Sequence, residues 1–97
     1  MSSITLDVIW VGSFKATYSE IHGLHEAVLE EANRHDLQDY VTEVCEGSNG
    51  LIQFVIFPIG SKEGWPKQDS WEKLVSFTAM KSAGTSFSIK RLYIASN

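Results

Sequence analysis

An almost uninterrupted apolar run, Gly50–Gly60, constrains the fold more strongly than any other part of the sequence. Glycines bound the run, β-branched and aromatic residues fill it, and Pro58 disfavours a helix. A strand that is buried on both faces has this composition. We therefore predict a central strand whose alternate residues serve two faces, Ile52, Phe54 and Ile56 on one and Leu51, Val55 and Phe57 on the other.

Three further segments are predicted to be strands. Ile4–Val11 alternates and then becomes wholly apolar, which favours a second central position. Tyr40–Glu46 and Phe87–Ile94 are rich in β-formers but carry charges in their interiors, which is typical of edge strands. Asn49-Gly50 favours a tight turn, so Tyr40–Glu46 is expected to pair antiparallel with the apolar run.

Two segments have the 3.6-residue periodicity of amphipathic helices. The first extends from about Tyr18 to about His35, and Thr17 and Glu20 before and within it have the spacing of a capping box. Its predicted inner stripe consists of Ile21, Leu24, His25, Val28 and Ala32. The second helix has the same capping-box spacing at Asp69 and Glu72, and Gly84 is a natural stop. Its predicted inner stripe consists of Trp71, Leu74, Val75 and Thr78.

The predicted element order is βαββαβ. Right-handed crossovers at both helices would place the first and third strands in the centre of a four-stranded antiparallel sheet. We therefore predict a ferredoxin-like α+β domain over residues 1–97, with both helices on one face of the sheet and the other face open.

Composition limits the classes of protein to which the chain can belong. Its 97 residues are 43% apolar and 21% charged, as in an ordinary globular domain. No apolar segment approaches the length of a membrane helix, the N-terminus does not resemble a signal peptide, and Cys45 is the only cysteine. A cytoplasmic protein with no membrane partner is expected.

Charge is distributed unevenly along the chain. Residues 1–50 hold nine acidic and two basic side chains, whereas residues 51–97 hold six basic and three acidic ones. If the fold is right, the first helix and the edge strand after it form a contiguous acidic region, composed of Glu26, Glu30, Glu31, Asp36, Asp39, Glu43 and Glu46. Such a region repels nucleic acid and attracts a basic protein surface. Three residues are predicted to leave apolar surface for the same partner: Trp65, Phe77 and Met80.

The sequence contains no recognisable catalytic or metal-binding motif. His22, His25 and Glu26 lie within about one helical turn but lack the established zinc spacings, so packing and solvation are predicted for them rather than metal binding. Glu43 and Glu46 disfavour a thiolate at Cys45, for which an inert thiol is predicted. Neither a phosphate-binding glycine loop nor a dinucleotide fingerprint is present, and we expect no cofactor and no enzymatic activity.

Two short segments carry a resemblance to known domains. Ile9–Phe14 resembles the RNP2 signature of RNA recognition motifs, and Phe54–Phe57 resembles the end of their RNP1 signature, although the preceding RNP1 positions are not reproduced by residues 50–52. The resemblance implies a base-stacking surface on the open sheet face, formed by Trp10 and Phe54 and flanked by Lys90 and Arg91. Acylphosphatases share the element order, but Gly12–Lys15 lacks their catalytic arginine.

Three hypotheses about function follow. The leading one is a small acidic, non-enzymatic binding protein that blocks a basic, nucleic-acid-binding surface of a larger protein. Compact, acidic domains without motifs are frequent among phage anti-defence proteins, including anti-CRISPR inhibitors that act by nucleic-acid mimicry, and among toxin-immunity proteins. The alternatives are single-stranded RNA binding through the open sheet face and a small dimeric ferredoxin-like enzyme. The protein is expected to be a monomer or a homodimer.

Overall fold

The computed structural model describes residues 4–13, 15–46, 50, 52–57 and 65–96. Within them the chain is a mixed α+β structure, in which two helices pack on an antiparallel sheet. The elements are β1 (Ile4–Ser13), α1 (Tyr18–Arg34), a 3₁₀ helix (Gln38–Tyr40), β2 (Cys45–Glu46), β3 (Ile52–Ile56), α2 (Gln68–Ser82) and β4 (Ser88–Ser96).

Three of the strands, β3, β1 and β4, form the body of the sheet. Residues 9–13 of β1 pair antiparallel with β3, and residues 4–12 pair antiparallel with β4 on the other side. The predicted adjacency of the first and third strands is therefore confirmed. The apolar run contributes a five-residue strand, Ile52–Ile56, and its other predicted members Leu51 and residues 58–60 lie outside the described part of the chain.

One face of the sheet forms the core together with both helices. Ile9 and Val11 of β1, and Phe54 and Ile56 of β3, are fully buried there. The helices contribute their predicted inner stripes, all of which are buried: Ile21, Leu24, His25, Val28 and Ala32 from α1, and Trp71, Leu74, Val75 and Thr78 from α2. Periodicity thus identified the buried face of each helix correctly, because side chains three or four residues apart lie on the same face of a helix.

The two helices begin differently. At α1 the predicted capping box is confirmed: the Glu20 amide donates to Thr17 Oγ1 at 3.2 Å, and the Thr17 amide donates to Glu20 Oε2 at 3.3 Å. At α2 the predicted capping box is wrong, because the helix begins earlier, with Lys67 as an N-cap that makes no side-chain hydrogen bond. Asp69 lies instead in the first turn, where its charge favours the helix dipole.

The ends of other elements use glycine as predicted. Gly84 follows the last residue of α2 and its cap with a φ of 77°, the left-handed conformation that glycine adopts without strain. Gly50 also has a φ of 77° and precedes β3, so the positive φ that was predicted for this glycine is confirmed. The other residues of that predicted turn, 47–49, are outside the described residues.

The predicted continuous strand Tyr40–Glu46 is wrong. Tyr40 ends the 3₁₀ helix, Val41 forms an isolated bridge with Ile56, and regular pairing resumes only at Cys45–Glu46. Because residues 41 to 45 oppose residues 53 to 56, the outer chain has one extra residue, which is the arrangement of a β-bulge.

The side chain of Thr42 explains where the bulge lies. Its backbone N–H donates to the Val55 carbonyl at 3.0 Å, and its hydroxyl donates to the same oxygen at 2.7 Å. The hydroxyl also accepts the Val55 N–H at 2.9 Å. Both backbone groups of Val55 are therefore bonded to Thr42, and the hydroxyl replaces part of the regular ladder.

Replacing Thr42 by valine removes the hydroxyl but keeps a β-branched side chain of similar volume. The Val55 N–H then loses its acceptor in a half-buried position, and we expect the free energy of unfolding to fall by about 1–2 kcal/mol. Urea unfolding monitored by circular dichroism measures the difference. Thr42→Ser, which retains the hydroxyl, is the matched control. Equal stabilities for Thr42→Val and the wild type would contradict this account of the bulge.

Candidate functional site

Four exposed carboxylates lie on α1 and on the segment that follows it. Glu26 and Glu30 project from α1, Asp39 from the 3₁₀ helix, and Glu43 from the bulged segment. We call these four residues the acidic flank. Within the described residues, no basic side chain forms an ion pair with Glu30, Asp39 or Glu43, and Glu26 pairs only with His22, at 3.2 Å.

The acidic flank is held together by a contact between α1 and the bulged segment. His25 Nε2 lies 2.6 Å from the Thr42 carbonyl, so the ring donates a hydrogen bond across this junction. Thr42 is in turn bonded to Val55 of β3. Glu43, which follows Thr42, and Glu26, which follows His25, are brought close enough for both to act on the charge of the His25 ring.

A shallow groove runs along the same side of α1. It encloses about 590 Å³, and we call it the α1 groove; its lining residues are Glu26, Leu29, Glu30, Asn33 and Gln38. Leu29 is half-buried and lies one turn beyond His25 on the same side of the helix. The groove therefore combines an apolar residue with carboxylates and amides. The predicted site residues did not include Leu29, Asn33 or Gln38. The sequence offers one indication of the groove, which is the apolar residue Leu29 beside the polar residues of α1.

Two of the other predicted acidic residues, Glu31 and Asp36, have different surroundings. Glu31 is only 17% exposed and is paired with Arg34 at 2.7 Å and with His35 at 3.3 Å, so its charge is largely neutralised. Asp36 occupies a turn with a φ of 58° and lines a second concavity together with the basic residue Lys67. The side chain of Glu46 is outside the described residues.

The predicted apolar contact surface is less exposed than expected at two of its three members, and its role in binding stays a prediction. Trp65 and Phe77 are half-buried and pack against the core, because the periphery of the core extends beyond the inner stripe of α2. Lys81 also covers Phe77, with its Nζ 5.6 Å from the ring centroid. Met80 is 64% exposed and remains available for a contact.

The predicted base-stacking surface is corrected at Phe54. Phe54 is fully buried between β3 and the helices, because alternation along the strand places it with Ile56 in the core. It therefore cannot stack on a nucleic-acid base. Arg91 pairs in register with the core residue Ile9, whereas Lys90 pairs with Trp10, and the side chain of Arg91 is outside the described residues.

Trp10 lies on the sheet face opposite the helices and is already engaged there. Its indole N–H donates to Gln53 Oε1, and Lys90 Nζ lies 5.2 Å from the ring centroid. The far end of the ring covers Gly12, where an added Cβ would meet Trp10 Cζ2 at 2.5 Å. A stacked base would have to displace Lys90 from this ring.

His25 has the features of a packed core histidine. Its ring makes an edge contact with Phe54, at a centroid distance of 5.2 Å, and stacks with His22 at 6.2 Å. Its Nδ1 is buried and has no hydrogen-bond partner among the described residues. Within those same residues, no group of three His, Cys, Asp or Glu side chains is arranged to hold a metal ion. The side chain of Cys45 is not described, so its predicted inertness stays a prediction.

Burial of the ring lowers the pKa of His25 below its ordinary value of 6.5. The hydrogen bond to the Thr42 carbonyl raises this pKa, the neighbouring His22 lowers it further, and the charges of Glu26 and Glu43 raise it. Desolvation is the largest of these effects. Protonation would also leave the buried Nδ1–H without an acceptor, so the folded state favours the neutral ring.

Comparisons with known proteins give no match. No protein-family model, curated protein or solved structure is similar to this chain. Neither helix within the described residues has the length and hydropathy that are needed to cross a membrane. A function for this chain is therefore inferred from the acidic flank and the α1 groove.

The neutral state of His25 predicts a pH dependence of stability. Because its pKa is lower in the folded than in the unfolded chain, the unfolded chain binds the proton more readily as the pH falls from about 7.5 to about 5.5. The free energy of unfolding should therefore decrease over this range, with a contribution from His25 of at most about 1.4 kcal/mol per pH unit.

Urea unfolding of the wild type and His25→Gln at several pH values measures this contribution. Glutamine keeps an N–H that can reach the Thr42 carbonyl but does not titrate, while His22 and His35 are unchanged in both proteins. A weaker decrease of stability with falling pH is expected for His25→Gln. Parallel curves for the two proteins would show that His25 is not held neutral by the fold.

Proposed function

We propose that the protein is a small non-enzymatic binding protein that covers a basic, nucleic-acid-binding surface of a larger protein. The observation that carries the proposal is the acidic flank, in which three of four exposed carboxylates have no cationic partner within the described chain. Elsewhere on the same helix, the acidic residue Glu31 is neutralised by its neighbours. The negative charge is thus concentrated beside the α1 groove.

Unpaired carboxylates on one side of a small protein favour a basic partner for a kinetic reason. Their summed potential attracts positive surfaces over a distance of about 8–10 Å at physiological salt and raises the rate of productive encounter. The same potential repels phosphates, which disfavours direct binding of nucleic acid on this side. A protein that carries such a surface competes with nucleic acid for a basic site.

We also propose that the fold is a ferredoxin-like domain with a shortened second strand. The strand order β2-β3-β1-β4 supports this assignment, and so does the placement of both helices in one core with the same sheet face. The bulge at Thr42 then adapts the edge of the sheet by interrupting β2, which protects an otherwise unpaired edge from adding further strands.

The biological settings that suit such a protein are cytoplasmic. Phage anti-defence proteins, anti-CRISPR inhibitors among them, and toxin-immunity proteins neutralise a larger protein by occupying its basic substrate-binding surface. The RNA-binding alternative loses support because Phe54 is buried and Lys90 covers Trp10. No observation among the described residues favours the enzyme alternative, so neither alternative is proposed.

The proposal predicts that neutralising the acidic flank slows association. In the variant Glu26→Gln/Glu30→Gln/Asp39→Asn/Glu43→Gln, the association rate with the partner should fall by about 10-fold to 100-fold at low ionic strength, with a flatter dependence on salt. Affinity purification with the wild type as bait identifies the partner, and stopped-flow fluorescence with the purified partner measures the rates.

The matched control is a comparison of two single substitutions. Glu20→Gln removes one exposed charge from the same helix but keeps the capping box, in which glutamine can replace glutamate, and it should leave the rate nearly unchanged. Glu30→Gln should slow association measurably. The wild type should also displace nucleic acid from the partner. If the quadruple variant associates as fast as the wild type at every salt concentration, the acidic flank is not the binding surface.

A further inference from the structure

The α1 groove combines an apolar surface with acceptors of hydrogen bonds. Leu29 lies beside Glu26 and Glu30, which are separated by one helical turn, and the amides of Asn33 and Gln38 complete the lining. On a helix, the Cβ atoms of residues four apart are about 5–6 Å from one another. Two carboxylates at this separation can receive donors from one planar cation.

The acceptors of the groove are accessible. Glu30 has no ion pair with a described residue, and the His22 partner of Glu26 is itself about half exposed, with 47% of its side chain accessible. An exposed pair of this kind contributes little and can be exchanged for a better donor. A cation in the groove therefore does not have to break a strong interaction.

Arginine matches this lining better than lysine does. Its guanidinium is planar and offers five donors in a fixed arrangement, which suits two carboxylates and neighbouring amide oxygens. Its aliphatic stem can also pack on Leu29 while the charged end remains at the rim. A lysine ammonium is a compact, strongly hydrated charge that gains less from several acceptors arranged around an apolar floor.

We propose that the α1 groove binds an arginine side chain from the basic surface of the partner protein, with the stem on Leu29 and the guanidinium between Glu26 and Glu30. This inference rests on the proposed function and assigns the partner residue that anchors it. The acidic flank attracts basic surfaces whether they carry arginine or lysine, whereas the α1 groove discriminates between these two residues. A preference for arginine over lysine would therefore show binding in the α1 groove, whereas general electrostatic attraction would give no such preference.

Titration of the ¹⁵N-labelled protein with short peptides tests the inference. The probes are hexa-arginine, hexalysine and hexacitrulline, the last having the shape of hexa-arginine without its charge. Hexa-arginine should bind about 5-fold to 20-fold more tightly than hexalysine, and hexacitrulline should not bind measurably. The largest shifts should occur at the Leu29 amide and at the side-chain amides of Asn33 and Gln38.

Matched variants separate the groove from general electrostatics. Glu30→Gln should reduce hexa-arginine affinity by about 5-fold or more while affecting hexalysine less, and Glu20→Gln should change neither by more than about 2-fold. Leu29→Ala, once its spectrum confirms that it is folded, should also reduce the preference for arginine, because the stem loses its apolar contact.

Each contrary outcome has a distinct meaning. Equal affinities for the two cationic peptides, with shifts centred on Asp39 and Glu43, would overturn the arginine assignment and leave the proposed function standing. Concentration-dependent shifts of the groove amides without peptide would identify a second copy of the chain as the occupant and would also overturn it. Absence of binding by both cationic peptides at low salt would contradict the proposed function itself.

Discussion

The hydrogen bonds of Thr42 are the contacts on which the arrangement of the candidate site depends. The hydroxyl binds both backbone groups of Val55, and the carbonyl accepts from His25 at 2.6 Å. One residue thus fixes the bulged segment to the sheet and to α1 simultaneously. Asp39 and Glu43 precede and follow this anchor by a few residues, so their positions relative to Glu26 and Glu30 are set by it.

The hydrogen bond between His25 and the Thr42 carbonyl requires the His25 ring to be buried, and this burial has an energetic cost. His25 is buried with an unpartnered Nδ1, which costs free energy and favours a neutral ring. The ring in return packs on Phe54 and bonds Thr42. Polar groups at such a junction specify one register of the edge segment, since a slip by one residue would leave both His25 and Val55 without partners.

Periodicity in the sequence was sufficient to predict the buried faces of both helices, because these follow from local spacing and hydrophobicity. The pairing of β1 with β3 was predicted from the handedness of the crossovers between strands. The edge strand was predicted wrongly, because its interruption depends on a side-chain hydroxyl that competes with the backbone ladder, and propensity does not reveal such a competition. The burial of Trp65 and Phe77 likewise depends on how far the core extends, which is a tertiary property.

The candidate site was predictable in its charge but not in its shape. Acidic residues in the first half of the sequence indicated an acidic surface, yet the sequence did not show that Glu31 is neutralised while Glu30 is not. The α1 groove was not predicted, because it lies between a helix and a 3₁₀ helix whose relation is set by the fold. The charge pattern thus supports the proposed class of partner, whereas the proposed mode of recognition depends on the geometry of the groove.

The central claim is that the acidic flank and the α1 groove face the partner. Cross-saturation NMR on the complex with the purified partner tests it most directly, since it reports which protons of this protein lie at the interface. The account predicts saturation at Leu29, Gln38 and Glu43. Saturation confined to the Trp10 indole and the neighbouring Lys90 would place the partner on the opposite face of the sheet and contradict the account.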